Sequence, residues 1–509
     1  MSDENFMPTG ALEARFDVLR RRAGFVLGPL AFLAVWFAEM GSLSEAAHRM
    51  AAVMAAVIVF WVCESLPMPV TALCGAALCV VLQIAPANTV FAPFADQLMF
   101  LFIGSFILAR AIFLNGLDRR VALTVLSLDW VGARPGRVLF AFGAVTAAAS
   151  AWVSNTAITA MMFAIGLSIL RYMLGNGASG RHPAEGKPRI DPRYATGVML
   201  MTTFAASIGG LATPVGTPPN VIGIRHIEVQ LGVDVPFFTW CLIGVPVVAV
   251  LYLFMFAYLN WFCPAGVKEL PGSRALLLAE RDKLGPWTTG ERSTVLAFLV
   301  TVVLWISPGV AALLLGEDHA TYRMLRASLP EAVGAIVGAT LLFLLPGNGE
   351  RKAIHWREAV QIDWGVVLIY GGGVAFGALA VDTGLTAALG DAFRERLAGM
   401  GPVAMLFAAT AFGTVMSEAT SNTASATIVV PTVIAVAQAL GVDPLPPAIA
   451  ATMGCSLGFM LPVSTPCNAI VYGSGYIPIV RMIRYGLLLD VAGVLVIVGM
   501  VRYLLPIVR

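Results

Sequence analysis

The stretch Ala151–Ala160, AWVSNTAITA, sets Ser154, Asn155 and Thr156 side by side in an otherwise apolar run. Glu418–Thr427, EATSNTASAT, repeats the triplet as Ser421, Asn422 and Thr423. How these two runs are read decides the fold.

The physical setting comes from composition. Of 509 residues, 58% are hydrophobic and only 12% charged, with a mean hydropathy of +0.84. A soluble domain carries about 25% charged residues, so this is a membrane chain. A helical span needs about 20 mainly apolar residues. Eleven segments qualify, near 24–40, 47–64, 68–86, 98–117, 195–231, 236–262, 293–315, 330–346, 364–385, 446–475 and 482–505, with 195–231 and 446–475 interrupted. Two further apolar segments, 136–173 and 402–440, are broken by the triplets. Each reads as a pair of short crossings or as a hairpin that enters and leaves on one side.

Lys and Arg set the orientation. With a cytoplasmic N-terminus, the inside loops collect 23 of the 32 cationic residues and the outside loops six, Arg49, Arg323, Arg326, Arg394, Arg396 and Arg509. Cytoplasmic loops are the ones enriched in Lys and Arg, which predicts N-in and C-out. The N-terminal MSDENFMPTG has no apolar core beside a cleavage site, so no removable signal peptide is expected. The seven cysteines lie in or beside apolar segments without metal-ligand spacing and read as packing residues. No basic run suggests nucleic acid.

The sequence also repeats itself. Ser421 follows Ser154 by 267 residues, and upstream the turns FLNGL (Phe113–Leu117) and VDTGL (Val381–Leu385) place Gly384 268 residues after Gly116. Downstream, GTPPN (Gly216–Asn220) is matched by STPCN (Ser464–Asn468), 248 residues on. The shorter offset reflects the insert GNGASGRHPAEGKPR, Gly175–Arg189, in the first half. The charges flanking the two triplet segments put their ends on opposite sides, so the halves are inverted. Inverted repeats are the build of many secondary transporters, whose sites lie near the midplane at the repeat interface.

Irregular backbone at membrane depth survives only where protein or a wet cavity satisfies its polar groups. A helix that begins at such a break offers N–H groups and a positive dipole end to an anion. A helix that ends there offers carbonyls, which with Ser, Thr and Asn oxygens suit a hard monovalent cation. The prolines of TPPN and TPCN remove backbone donors and help break the spans. No Lys or Arg lies within ten residues of Ser154 or Ser421, so a bound dianion needs cations beside it. There is no GxxxxGK[ST], HExxH or CxxC, which speaks against an ATP-driven pump and against an enzyme. A channel would want a continuous polar stripe, whereas the polar groups cluster at two breaks.

The paired triplets, together with SLGFMLPVSTPCNAIV (Ser456–Val471), resemble the divalent anion:sodium symporter family, over nearly the whole chain. The resemblance implies an all-α polytopic membrane protein: about eleven transmembrane helices plus two re-entrant helical hairpins in an inverted repeat, with scaffold and transport parts that work as an elevator. It implies a cytoplasmic N-terminus (1–23), a first half (24–262) with hairpin 136–173 and broken helix 195–231, and a cytoplasmic linker (263–292). The second half (293–509) then carries hairpin 402–440 and broken helix 446–475. It implies a homodimer in the inner (plasma) membrane, embedded in the lipid bilayer and co-transporting Na+ with four-carbon dicarboxylates such as succinate, malate or fumarate. An exchanger, or a sulfate or citrate carrier, would share the fold. Sodium would be held by Ser150, Ser154, Asn155 and Gly216, and in the mirror site by Ser417, Thr420, Asn422 and Ser464. Substrate would be held by Asn155, Thr156, Asn422 and Thr423, with Thr217, Pro218, Thr465 and Pro466 lining the pocket. Cys467 departs from the family's TPPN pattern and restores a backbone N–H where a proline is expected. Ser464 stands where Ala is often found.

Among the remaining polar residues, Gly371, Gly372 and Gly373 read as close helix packing, and Glu418 as an anchor for its hairpin. Arg110 and Arg225 read as snorkelling or paired cations, and Lys268–Arg292 as an interfacial amphipathic segment.

Overall fold

The computed structural model describes residues 10–508 except 42, 175–189, 271, 317, 395, 396 and 398. The N-terminal MSDENFMPT, the insert Gly175–Arg189 and the topology markers Arg396 and Arg509 lie outside the described residues. The elements are helical, apart from an isolated bridge between Pro346 and Lys352. Among the described residues, ten helices are long and apolar enough to cross a membrane. Eleven are if the bent pair Ala320–Ser328 and Glu331–Leu344 counts as one span. The protein is an all-α polytopic membrane protein.

Both triplets sit at hairpin tips. The first hairpin packs Pro135–Ser150 on Asn155–Leu174, and in the second Pro402–Ala419 is joined at the tip to Asn422–Ala439 by the Ser417–Asn422 bond. The leading serine of each triplet caps the returning helix. Ser154 Oγ accepts from the Ala157 amide (3.3 Å) and Ser421 Oγ from the Ala424 amide (3.2 Å). This is the ordinary preference for a small hydroxyl at a helix start. The two turns expected to match also correspond, since Gly116 and Gly384 both adopt left-handed backbone (φ 71° and 82°), which favours glycine.

The broken spans follow. Pro192–Gly209 gives way to two short 3₁₀ turns before Pro218–Leu231 begins, and Leu445–Gly454 runs through irregular backbone to Pro466–Tyr472. Each restarting helix has proline in its first turn, where the missing N–H costs nothing.

The chain forms two compact units, each drawing on both sequence halves. One comprises residues up to 96, 364–399 and 435–442. In it Gly10–Trp36 packs on Glu45–Cys63, and Met68–Val81 on Trp364–Asp382. The glycine run permits the close approach expected of it: a Cβ on Gly371 would fall 2.6 Å from the Phe94 ring and one on Gly372 2.6 Å from Ala72 Cβ.

The other unit comprises 97–363, 400–434 and 443 onward, and holds both hairpin tips and both breaks. Its axis is Pro192–Gly209, buried along its length against both arms of the first hairpin, Phe237–Phe262 and Pro466–Tyr472. The halves pack crosswise. Pro466–Tyr472 lies on Asn155–Leu174 and Pro192–Gly209, while Pro218–Leu231 lies on Leu445–Gly454. That last crossing is close enough that a Cβ on Gly223 would fall 2.0 Å from Thr452 Oγ1. In the linker, Arg120 pairs with Glu291 at 2.5 Å, both buried, and donates to the carbonyls of Leu284, Gly285 and Pro286.

Candidate functional site

The first break gathers its expected residues. Ser150 Oγ donates to Asn155 Oδ1 at 2.6 Å, which bridges the end of one hairpin arm and the start of the other. The Asn155 amide lies over Gly210, where a Cβ would fall 2.8 Å from Oδ1 and 3.1 Å from Thr217 Cβ. Gly216 is hemmed by two carbonyls, its Cβ position lying 2.5 Å from Gly210 O and 3.0 Å from Ala151 O. Hydroxyl, amide oxygen and carbonyls therefore converge on one small volume. Ser154 and Thr156 are exposed at the tip, whereas Ser150, Gly216 and Thr217 are buried and Pro218 half-buried. Trp152 wedges the tip in place by stacking on Trp305 (6.4 Å, 3°) and Phe237 (6.1 Å, 25°).

The second break repeats the core of this design. Ser417 Oγ donates to Asn422 Oδ1 at 2.8 Å and also approaches Cys455 O at 2.8 Å. Gly458 lies beneath, its Cβ position 3.2 Å from Ser417 Oγ and 3.5 Å from Asn422 Oδ1. Gly458 is 248 residues after Gly210, the offset of the two TP-x-N loops. Around that core the halves diverge. Thr420 Oγ1 is taken up by Met416 O and Ser425 Oγ. Ser464 Oγ donates to Glu418 Oε2 (2.6 Å) and approaches Glu418 O (3.1 Å). The hydroxyl hydrogens of Thr420 and Ser464 are thus committed within the protein, which orients both oxygens while leaving lone pairs on them.

Two residues that were only the last letter of a motif hold both loops. Asn220 Nδ2 donates to Gly210 O (2.9 Å) and Thr213 O (2.8 Å). Asn468 Nδ2 donates to Gly458 O and Leu461 O (2.9 Å each). Both asparagines are fully buried. The recurrence of TP-x-N at one offset was the signal for them. Thr203, which donates to Asn468 Oδ1 at 2.6 Å, had none.

The structure also joins parts of the expected substrate set across the halves. Pro466–Tyr472 packs on Asn155–Leu174, so the first returning helix meets the helix that starts at the Thr465–Pro466 corner. Thr465 Oγ1 accepts from the Asn468 amide (3.1 Å), which orders that corner. Asn422 and Thr423 are half-buried at the second tip, and the contacts of Asn422 stay within its own half. Glu418 is an anchor as expected, its Oε1 accepting from the Met460 amide at 2.7 Å. Arg110 and Arg225 are engaged by Gln361 and Glu228. Four helices thus start at two breaks lined by hydroxyls, amides and carbonyls, and among the described residues no cationic side chain pairs there. Such a site can take an anion at the N–H ends and small cations among the oxygens.

A family model described as the sodium:sulfate symporter transmembrane region matches residues 24–508. The chain belongs to this family, the divalent anion:sodium symporters that its motifs resemble. It is similar to the sodium-dependent dicarboxylate transporter SdcS of Staphylococcus saprophyticus, 32% identical over 95% of this chain and 91% of that protein. The SdcS of Staphylococcus aureus strain USA300 matches at the same identity and coverage. Among solved structures, the Alcanivorax borkumensis YdaH transporter aligns with a TM-score of 0.53 at 14% identity, covering 81% of this chain and 86% of its own. Neisseria gonorrhoeae MtrF aligns at 0.54 and 14%, covering 84% and 83%. These two show a shared fold only. As a divalent anion:sodium symporter family member, the protein is a plasma-membrane transporter and not an enzyme.

Proposed function

We propose that this protein carries four-carbon dicarboxylates such as succinate, malate or fumarate across the inner membrane by symport with sodium. The carrying observation is the pair of matched cradles, Ser150 with Asn155 over Gly210 and Ser417 with Asn422 over Gly458, built from hydroxyl, amide and carbonyl oxygens with no cationic side chain. A dianion entering between the helix starts meets no cationic side chain, so its charge is offset by cations in the flanking cradles. Each ion then tightens the binding of the other at its own site, which is the thermodynamic basis of coupling. The names of the 32%-identical relatives support sodium as the coupling ion and a dicarboxylate as cargo.

In this reading Ser150, Ser154, Asn155 and Gly216 hold one sodium ion, and Ser417, Thr420, Asn422 and Ser464 another. Asn155, Thr156, Asn422 and Thr423 hold the carboxylates against Thr217, Pro218, Thr465 and Pro466. The N-terminus is cytoplasmic and the C-terminus outside. The protein works as a homodimer in which a transport part, carrying both hairpins and both broken spans, slides as an elevator against a scaffold.

The test is uptake of labelled succinate into proteoliposomes under an inward sodium gradient, an equal potassium gradient, or with unlabelled succinate inside. A requirement for sodium is expected. Uptake that ignores sodium but needs internal succinate means an exchanger. Silence with succinate alongside sodium-driven sulfate or citrate uptake reassigns the cargo.

A further inference from the structure

Glu331 opens the helix Glu331–Leu344 at the bend that parts it from Ala320–Ser328, the two running at 61° to one another. An acid in a first turn ordinarily serves its own helix dipole. Here its oxygens reach other segments. Oε1 accepts from the Phe237 amide and, across the bend, from Arg326 (3.2 Å each), and its carbonyl accepts from the Trp305 indole N–H (2.8 Å). Arg326 also pairs with Asp234, so the chain entering Phe237–Phe262 is tied to the bend twice.

One residue thereby fixes two rings on different spans. Phe237 and Trp305 are buried and stacked, 4.8 Å apart at 25°. A Cβ on Gly334, one turn beyond Glu331, would fall 3.0 Å from Trp305 Cδ1, so the indole is seated on that helix. Phe298, two turns before Trp305 on Thr289–Leu315, supplies a third ring. Trp152 sits among the three, stacked on Phe237 and Trp305 and edge-on to Phe298 (5.2 Å, 88°), the arrangements in which aromatic rings attract.

The clamp bears on the site through the residue beside Trp152. Ala151 O accepts from Thr213 Oγ1 and is one of the two carbonyls that hem Gly216. At a helix end the backbone lacks the ladder that would hold such a carbonyl, so packing of its neighbours places it. We propose that Glu331 is a positioning residue for the first cradle: it assembles the ring clamp, whose grip on Trp152 sets where the Ala151 carbonyl and the Ser150–Asn155 pair stand. The second tip has no such grip, since the triplet offset puts Ala419 where the first has Trp152. The consequence for sodium rests on the function proposed above; the clamp does not.

Two readouts on the purified, reconstituted protein test this. The Trp152 contribution to near-ultraviolet circular dichroism, wild type minus Trp152→Phe, should fall by about half or more in a Glu331→Ala background. Sodium affinity is read without cargo, from the sodium dependence of the melting temperature at constant ionic strength. Trp152→Ala and Glu331→Ala should each weaken it about tenfold, and Trp152→Phe, which keeps a ring in the clamp, by less than about threefold. The double variant should also lose only about tenfold, because both changes break one path. Glu331→Gln, a weaker acceptor, should move both readouts the same way by less, and decides the point if Glu331→Ala does not fold. The proposal is overturned if the Trp152 band is unmoved by either Glu331 variant, if Trp152→Ala binds sodium as Trp152→Phe does, or if the two losses multiply. If the wild type binds no sodium, the transport reading fails while the Trp152 band still judges the clamp.

Discussion

Asn220 and Asn468 hold their loops by the same pair of bonds, each amide reaching back to the carbonyls ten and seven residues earlier. The likeness ends at the other side of the amide. Asn468 Oδ1 accepts from Thr203, but Asn220 Oδ1 has no partner, because the residue at the matching spacing is Ala451. Replacing Asn468 by Ala strands two carbonyls and a threonine hydroxyl in a buried site, and should cost roughly 3 kcal/mol. Asn220→Ala strands only the carbonyls and should cost about 1 kcal/mol less. Thermal unfolding in detergent reads the difference; equal losses would refute the asymmetry.

Asn155→Ala and Asn422→Ala each remove the acceptor of a bridging serine at a hairpin tip. Each should abolish sodium-dependent uptake while the protein still inserts and purifies as wild type. Normal uptake by either variant would sink the site assignment.

Gly216→Ala places a methyl group 2.5 Å from Gly210 O, so the first cradle must open. Uptake should be lost; sodium should raise the melting temperature of the wild type by mass action and leave that of Gly216→Ala unchanged. Gly499→Ala, with nothing within 4 Å of its Cβ position, is the control and should be neutral or slightly stabilising.

Arg120 and Arg119 are neighbours with unequal roles. Arg120 is buried against Glu291 and three carbonyls, and Arg120→Ala leaves that carboxylate unpaired at a cost of about 3–5 kcal/mol. Arg119 pairs with Glu280 at the surface, and Arg119→Ala should cost less than about 1 kcal/mol. Unfolding measurements on the two variants check the contrast.

Much of this architecture is legible in the sequence because membrane depth is unforgiving. A polar triplet inside an apolar run must be a tip or a break, and Ser154 and Ser421 are indeed helix caps at tips. The TP-x-N loops read equally well, since proline and asparagine at fixed spacing have few other uses in a span. Side-chain bonds between distant segments are less visible. Thr203 is one threonine in a buried helix, and only the folded chain brings it to Asn468, 265 residues away. Ser464 and Thr420 look like free hydroxyls in the sequence, and only packing reveals that Glu418 and Ser425 occupy them.

The crosswise packing of Pro466–Tyr472 onto Asn155–Leu174 and Pro192–Gly209 bears on biosynthesis. The first hairpin leaves the ribosome some three hundred residues before Pro466–Tyr472, which packs on its returning arm, so that arm is synthesised long before its cover. A chain that stops before residue 466 therefore leaves faces of both Asn155–Leu174 and Pro192–Gly209 without the helix that packs on them. Completion of the first half's packing thus waits on the last tenth of the chain.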